Sequence, residues 1–309
     1  MNNLAISVLD LSQSGEVDIS AAADELVKAT AHCGFIYVNI NSHNANIIKN
    51  VRRAQRAFFT LSLDEKQKIA IDCNNRGYLA QGMALMHGAT RRDQKEVFFW
   101  GREADENDPD VIAGLPLCGS NQWPEIADFR QAVLDYSLMV QSIGGRLLQI
   151  VATALGAAES FFEPYYQRCM LRGQLLCYPP TENHPQQFGV APHSDFGCIT
   201  LLLQETPGLE VLFPNGEWVA APPIENTLVV NIGDLLARWS NNKLLSTKHR
   251  VRNTGTDARY SIAMFYDPDP GAVVDPLDLI PEEAPKFEPV TTANYILARN
   301  KGAFSHYKS

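Results

Sequence analysis

His193 and Asp195 stand one residue apart in the run APHSDFGCITLLLQ, just ahead of an apolar stretch patterned like a strand. In extended backbone, residues two apart project from the same face, so the imidazole and the carboxylate point one way. A further histidine, His249 in LLSTKHRVRN, opens another predicted strand downstream. Two imidazoles and one carboxylate on one side of a metal leave three positions open. That suits Fe(II) that must take both a chelating cosubstrate and dioxygen. The same residues also read as an Asx turn with two ordinary histidines, since HxD pairs arise by chance. Ten residues after His249, RYSIAMF sets Arg259 and Ser261 two apart and facing the same way. An arginine beside a hydroxyl grips a carboxylate by charge and by hydrogen-bond geometry together. An internal Asp or Glu is the alternative partner. Tyr178, in LLCYPP, can add a third donor or serve as a core residue with its hydroxyl at the rim.

The elements that must position these groups follow from patterning. The N-terminal third mixes a short strand (AISVLDL), a helix from about Ile19 to Ala31 and a strand, GFIYVNI. A long amphipathic helix follows in NIIKNVRRAQRAFFTL, where Ile47, Val51, Ala54, Phe58 and Phe59 recur at helical spacing. Residues 74–103 lack sustained periodicity, apart from a strand ending in VFFWG. Another helix is expected from Pro124 to Leu155, with Pro124 in its first turn and a stripe of Phe129, Val133, Tyr136, Val140, Leu147 and Val151. After Met170 short β-rich runs separated by turn residues dominate, the pattern of a sandwich or jelly roll. Along one predicted strand Arg172, Gln174, Leu176 and Tyr178 share a face, and Phe265 shares parity with Arg259 and Ser261. The irregular segment with Tyr78, Met83, His87, Arg91 and Arg92 is the natural lid. Its arginines suit a carboxylate or phosphate, or simply a solvated turn. His32, His43, His184 and His306 show no partner pattern, and Asp234 in NIGDLL reads as a turn residue.

Composition sets the outer bounds. At 309 residues and 45% hydrophobic, the chain is long enough for one large domain or two modest ones. Its net charge of -9 offers no basic stripe for phosphates, which argues against a nucleic-acid partner. The N-terminus has no basic start followed by an apolar core, so no signal peptide is expected. No apolar run approaches the ~20 residues of a membrane span, so no membrane partner is expected. Six cysteines without CxxC spacing fit reduced, mostly buried thiols in a cytoplasmic protein. No oligomeric state follows from these patterns.

The ordered set RGQLLCYPP, HSDFGCITLLLQ, GLEVLFPNGEWV, VVNIGDLLARWSNN, STKHRV and RYSIAMF resembles the iron- and 2-oxoglutarate-dependent dioxygenases of the isopenicillin N synthase-like branch. VLDLS, GFIYV, FFTLSLDEK, RGY and KEVFFWG extend the resemblance over nearly the whole chain. It implies an α+β fold: a double-stranded β-helix (jelly roll) core with N-terminal and central helices packed on the outside. Residues 1–309 would form a single catalytic unit, with 1–168 mainly helical with flanking strands and 169–309 the jelly-roll core. His193, Asp195 and His249 match the iron ligands. Arg259 and Ser261 match the pair that binds the distal carboxylate of 2-oxoglutarate, assisted by Tyr178. Many plant members carry Asn two residues before that tyrosine; Leu176 stands here instead. The implied reaction oxidises a small-molecule substrate with Fe(II), 2-oxoglutarate and O2, releasing succinate and carbon dioxide. Gln174, Phe265, Tyr78, Arg172 and Arg91 are the candidate substrate residues. Two other readings stay open: an oxidase of the isopenicillin N synthase or aminocyclopropane carboxylate oxidase type that uses no 2-oxoglutarate, and a metal-free jelly-roll binding module.

Overall fold

A computed structural model describes residues 6–12, 18–30, 33–40, 42–86, 89–180, 186–253 and 255–303. His32, His87, His184 and His306 lie outside the described residues. The chain opens with β1 (Val8–Asp10), α1 (Ile19–Thr30) and β2 (Phe35–Asn39). Then come α2 (Ala45–Phe59), α3 (Leu63–Gln67), β3 (Gly77–Leu79), β4 (Glu96–Gly101), α4 (Pro109–Ile112) and α5 (Phe129–Ala154). Strands β5 (Met170–Tyr178), β6 (Val190–His193), β7 (Ile199–Gln204), β8 (Leu209–Leu212), β9 (Trp218–Ala220) and β10 (Thr227–Ile232) follow. The last part holds α6 (Asp234–Trp239), β11 (His249–Val251), β12 (Arg259–Asp267), β13 (Val273–Val274), α7 (Pro276–Leu279), β14 (Val290–Thr291) and α8 (Thr292–Ala303).

Two sheets form the core. The larger runs β1-β2-β10-β7-β12-β5-β4-β3 and the smaller β6-β11-β8-β9. Strands β5, β12, β7 and β10 face the small sheet, which is the expected jelly roll. Strict alternation divides the large sheet's side chains between two cores. Leu175, Leu201, Leu203, Val230, Ile262 and Met264 point outward and pack with the helices. Leu176, Val229 and Ala263 point inward and meet Val190, Leu209, Val211 and Val251 of the small sheet.

The helices pack outside, as expected, and the buried stripe of α5 contains all six of the anticipated residues. Its start differs: Asp128 takes a left-handed conformation (φ 60°) that interrupts the run, so the helix begins at Phe129 and Pro124 lies before it. The N-terminal region does more than cover the core. Its β1 and β2 extend the large sheet beyond β10, and its β4 and β3 extend it beyond β5. No helix among the described residues is long and apolar enough to cross a membrane.

Candidate metal centre

His193 closes β6 and His249 opens β11. Antiparallel pairing sets them opposite one another, with ring centroids 4.3 Å apart. Asp195 lies two residues past His193, in the bend before β7, and its Oδ1 stands 3.7 Å from Nε2 of each histidine. The three candidate ligand atoms fall within 4.8 Å of one another.

Their surroundings decide which atoms are offered. Nδ1 of His193 lies 2.9 Å from the Ala191 carbonyl, and Nδ1 of His249 lies 3.2 Å from that of Thr247. A carbonyl only accepts, so each Nδ1 carries a proton and each Nε2 is the nitrogen turned to the site. Burial, reinforced by His249 alongside, lowers the His193 pKa to about 3, so this ring is neutral near pH 7. Thr200 Oγ1 donates to Asp195 Oδ2 at 2.6 Å and Asn231 Nδ2 donates to the same oxygen at 2.8 Å. Oδ1 is thereby left turned to the imidazoles. Two imidazole nitrogens and one carboxylate oxygen, with no thiolate, are a donor set that fits Fe(II).

Backbone contacts hold the bend. The Asp234 amide donates to the Asp195 carbonyl at 2.7 Å, and the Leu235 amide to that of Gly197 at 3.0 Å. Gly197 must lack a side chain, because a Cβ there would stand 1.9 Å from Asp267 Oδ1. That oxygen accepts from the Cys198 amide at 2.7 Å, while Asp267 Oδ2 pairs with Arg172. Asp234, expected in a turn, opens α6, where its side chain accepts from Ser246 Oγ and pairs with Arg299.

Beside the triad lies a cavity of ≈ 70 Å³, walled by Leu176, Tyr178, Leu202, Leu209, Val251 and Ala263 among others. An adjoining chamber of ≈ 60 Å³ has Met86, Lys95, Arg172, Gln174, Phe196, Phe265 and Asn300 in its wall. A wider mouth of ≈ 390 Å³ opens past Met86, Phe196 and α8. Arg259 is 2% exposed and sits behind the first cavity, its guanidinium 5.0 Å from the Tyr178 ring centre. It donates to Ser261 Oγ (3.3 Å), Gln204 Oε1 (3.2 Å) and the Pro207 carbonyl (3.1 Å), and no carboxylate among the described residues pairs with it. Burial depresses its pKa.

Of the candidate substrate residues, Arg172, Gln174 and Phe265 line the chamber. Tyr78 does not: it packs on Phe58, and its hydroxyl donates to Glu96 Oε2 at 2.7 Å, so its place is in the helical core. Arg91 is exposed and lines neither cavity. The sequence reading missed Thr200, Asn231, Lys95, Met86, Phe196 and Asn300. Asn231 carried a signal, as a lone polar residue inside the apolar run TLVVNI. Lys95 carried another, sharing parity with the inward-facing Val97 and Phe99.

Comparison with known proteins agrees with this geometry. Residues 166–268 match the model of the 2OG-Fe(II) oxygenase superfamily. Residues 6–126 match that of the non-haem dioxygenase N-terminal region in morphine synthesis. The 2-oxoglutarate-Fe(II) type oxidoreductase hxnY of Emericella nidulans is 32% identical over 96% of this chain and 90% of its own. The 2-oxoglutarate-dependent dioxygenase tropC of Talaromyces stipitatus is 34% identical over 82% of each chain. A full-length Neurospora crassa protein, crystallised in complex with alpha-KG and thymine, superposes with a TM-score of 0.82 at 28% identity, covering 95% of this chain and 96% of that one. The chain therefore belongs to the 2OG-Fe(II) oxygenase superfamily, as a non-haem dioxygenase that uses Fe(II), 2-oxoglutarate and dioxygen to oxidise a small molecule.

Proposed function

We propose that His193, Asp195 and His249 hold the Fe(II), and that Arg259, Ser261 and Tyr178 hold the distal carboxylate of 2-oxoglutarate. Residues 1–309 act as one catalytic unit in the cytoplasm, on a substrate touched by Gln174, Phe265 and Arg172. The observation that carries this reading is the convergence of two Nε2 atoms on a carboxylate oxygen that no other donor among the described residues claims. Bound Fe(II), with 2-oxoglutarate and dioxygen, supplies the oxidising power for hydroxylation or a related C–H oxidation, releasing succinate and carbon dioxide.

The remaining work falls to the chain. Thr200 and Asn231 fix the Asp195 carboxylate, and two carbonyls fix the ring tautomers. Leu176, Leu202, Leu209 and Val251 keep the cavity dry. Arg259 is a buried cation held only by neutral acceptors, a state that an incoming carboxylate relieves. Leu176, where many plant members carry Asn, presents an apolar wall and leaves the carboxylate to Arg259 and Ser261. The four buried free cysteines support the cytoplasmic reading.

The test is substrate-dependent succinate release under air with Fe(II) and 2-oxoglutarate. His193→Ala and Asp195→Ala should abolish it while leaving the melting temperature near that of the wild type. Full turnover by either variant overturns the ligand assignment. Substrate oxidation without stoichiometric succinate would reinstate the oxidase reading.

A further inference from the structure

The chamber next to the triad is built from donors that nothing among the described residues uses. Asn300 sits on the buried stripe of α8 with Thr292, Ala293, Ile296 and Ala303, where helical spacing calls for an apolar residue. It is 2% exposed, and its Nδ2 has no hydrogen-bond partner among the described residues, although buried amides are nearly always paired. Lys95 lines the same chamber, is 5% exposed and makes a single 3.5 Å contact to Asp93. An ammonium has three donors, so two remain to be spent. Gln174 lines the same chamber and the triad cavity beside it. Of the carboxylates around the chamber, Asp267 is taken up by Arg172 and the Cys198 amide, while Asp93 Oδ1 accepts from the Ala191 amide and Asp93 Oδ2 keeps only its 3.5 Å contact to Lys95. Asp195 Oδ1 in the same wall belongs to the triad, so the spare donors of Lys95 and Asn300 remain for an incoming acceptor.

We propose that Lys95 and Asn300 bind an oxygen acceptor of the substrate, a carboxylate or a ring carbonyl, so that the C-terminal helix helps to choose what is oxidised. This rests on the oxygenase reading above and extends it to substrate class. Asn300 lines only the chamber that lacks Tyr178 and His249, so its role is separate from the Arg259 end of the site. Met86, Phe196 and Phe265 supply flat apolar walls, which suits a compact, unsaturated ring behind the acceptor.

The experiment titrates two probes into the full chain loaded with Mn(II) and 2-oxoglutarate: benzoate for the carboxylate and thymine for the neutral ring carbonyl. Whichever probe the wild type binds at millimolar concentration identifies the acceptor. Asn300→Ala and Lys95→Met should each raise its Kd about tenfold or more, one hydrogen bond's worth, and Asn300→Ala, which touches only this chamber, should leave the Kd values for Mn(II) and 2-oxoglutarate unchanged. Asn300 has no intramolecular bond at Nδ2 to lose among the described residues, so Asn300→Ala should keep the wild-type melting temperature, which separates lost recognition from lost fold. If Lys95→Met fails to fold because Asp93 is left unpaired, the double variant Asp93→Asn/Lys95→Met replaces it. Wild-type affinity in the folded variants, or binding of neither probe by a wild type that takes up Mn(II) and 2-oxoglutarate, overturns the proposal. Failure of the wild type to bind Mn(II) and 2-oxoglutarate defeats the oxygenase reading instead.

Discussion

Replacing Asn231 with leucine tests how the carboxylate is held. The substitution keeps the number of side-chain heavy atoms and the strand pairing but removes the 2.8 Å hydrogen bond to Asp195 Oδ2, leaving only Thr200 at 2.6 Å. A hydrogen bond to a charged group contributes about 1.5–3 kcal/mol, which corresponds to roughly 10- to 150-fold in a binding constant. Partners that orient metal ligands typically contribute ~10- to 100-fold in affinity, so two independent estimates agree. The loss should fall on the metal and spare the fold, because Asn231 lies in β10 between β7 and β2, and its backbone ladder to Thr200 and Phe35 is untouched. The assay is a calorimetric Mn(II) titration of the apo chain, with a thermal melt alongside. Asn231→Leu should weaken Mn(II) at least about tenfold, Thr200→Val by a similar factor, and the double variant by less than the product, since both donors serve one oxygen. An unchanged Mn(II) affinity in folded Asn231→Leu would show that Asp195 needs no aiming, and the argument for the triad's geometry would fail.

Arg259→Met should raise the 2-oxoglutarate requirement at least ~100-fold while leaving the apo melting temperature equal or higher, because a buried cation with only neutral acceptors is replaced by an apolar chain. An unchanged requirement in steady-state succinate assays would count against the anchor. Phe58→Ala should destabilise the chain by about 3–5 kcal/mol in urea melts, since this fully buried ring packs against Phe59, Tyr78, Phe98 and Phe129; a loss below ~1 kcal/mol would contradict the helical core described. Asp108 is held at a pKa of about 2, chiefly by its hydrogen bond from Arg102, so this pair's stabilisation is present above the ordinary carboxylate pKa and disappears as pH falls towards 2. Asp108→Asn should therefore be less stable than wild type at pH 6 and converge with it near pH 2 in acid melts; parallel curves would exclude the linkage.

The parts of the site legible in the sequence share a property: they depend on local parity. Arg172, Gln174, Leu176 and Tyr178 on one strand, and Arg259, Ser261 and Phe265 on its neighbour, face the same way because alternation in a strand is steric. His193 and Asp195 converge for a related reason, although Asp195 sits in a bend past the strand end and not within it. The helical stripes were equally readable. What local pattern cannot carry is long-range pairing. That β2 would join β10, nearly two hundred residues away, depends on register across the sheet. Tyr78 was drawn into the core by Glu96 on the neighbouring strand, a contact that no spacing rule reports. Lys95 and Asn300 reach one chamber from opposite ends of the chain.

Strand β12 acts as a ruler for the chemistry. Its inward residues run Arg259, Ser261, Ala263, Phe265 and Asp267, one every two positions, or roughly 6.6 Å at the usual strand rise. Ala263 lies in the cavity wall with the triad and is the one small apolar side chain in the series, so open space falls there. Arg259 lies two steps to one side, about 13 Å of strand, its reach shortened by its own side chain folding back to Ser261. Phe265 lies one step to the other side, where Arg172 stacks on its ring at 4.7 Å. Each inward residue of β12 from Arg259 to Phe265 is met by an inward residue of β5, Arg259 by Tyr178, Ser261 by Leu176, Ala263 by Gln174 and Phe265 by Arg172, so the proposed anchor, the open space and the proposed substrate wall are each set twice. A one-residue slip in this pairing would send Arg259 and Phe265 into the helical core and bring Ile262 and Met264 to the cavity. The division of the site into the proposed cosubstrate and substrate ends is thus set by strand register, and β6, β11 and the bend after β6 need only deliver His193, Asp195 and His249 to the gap that Ala263 leaves.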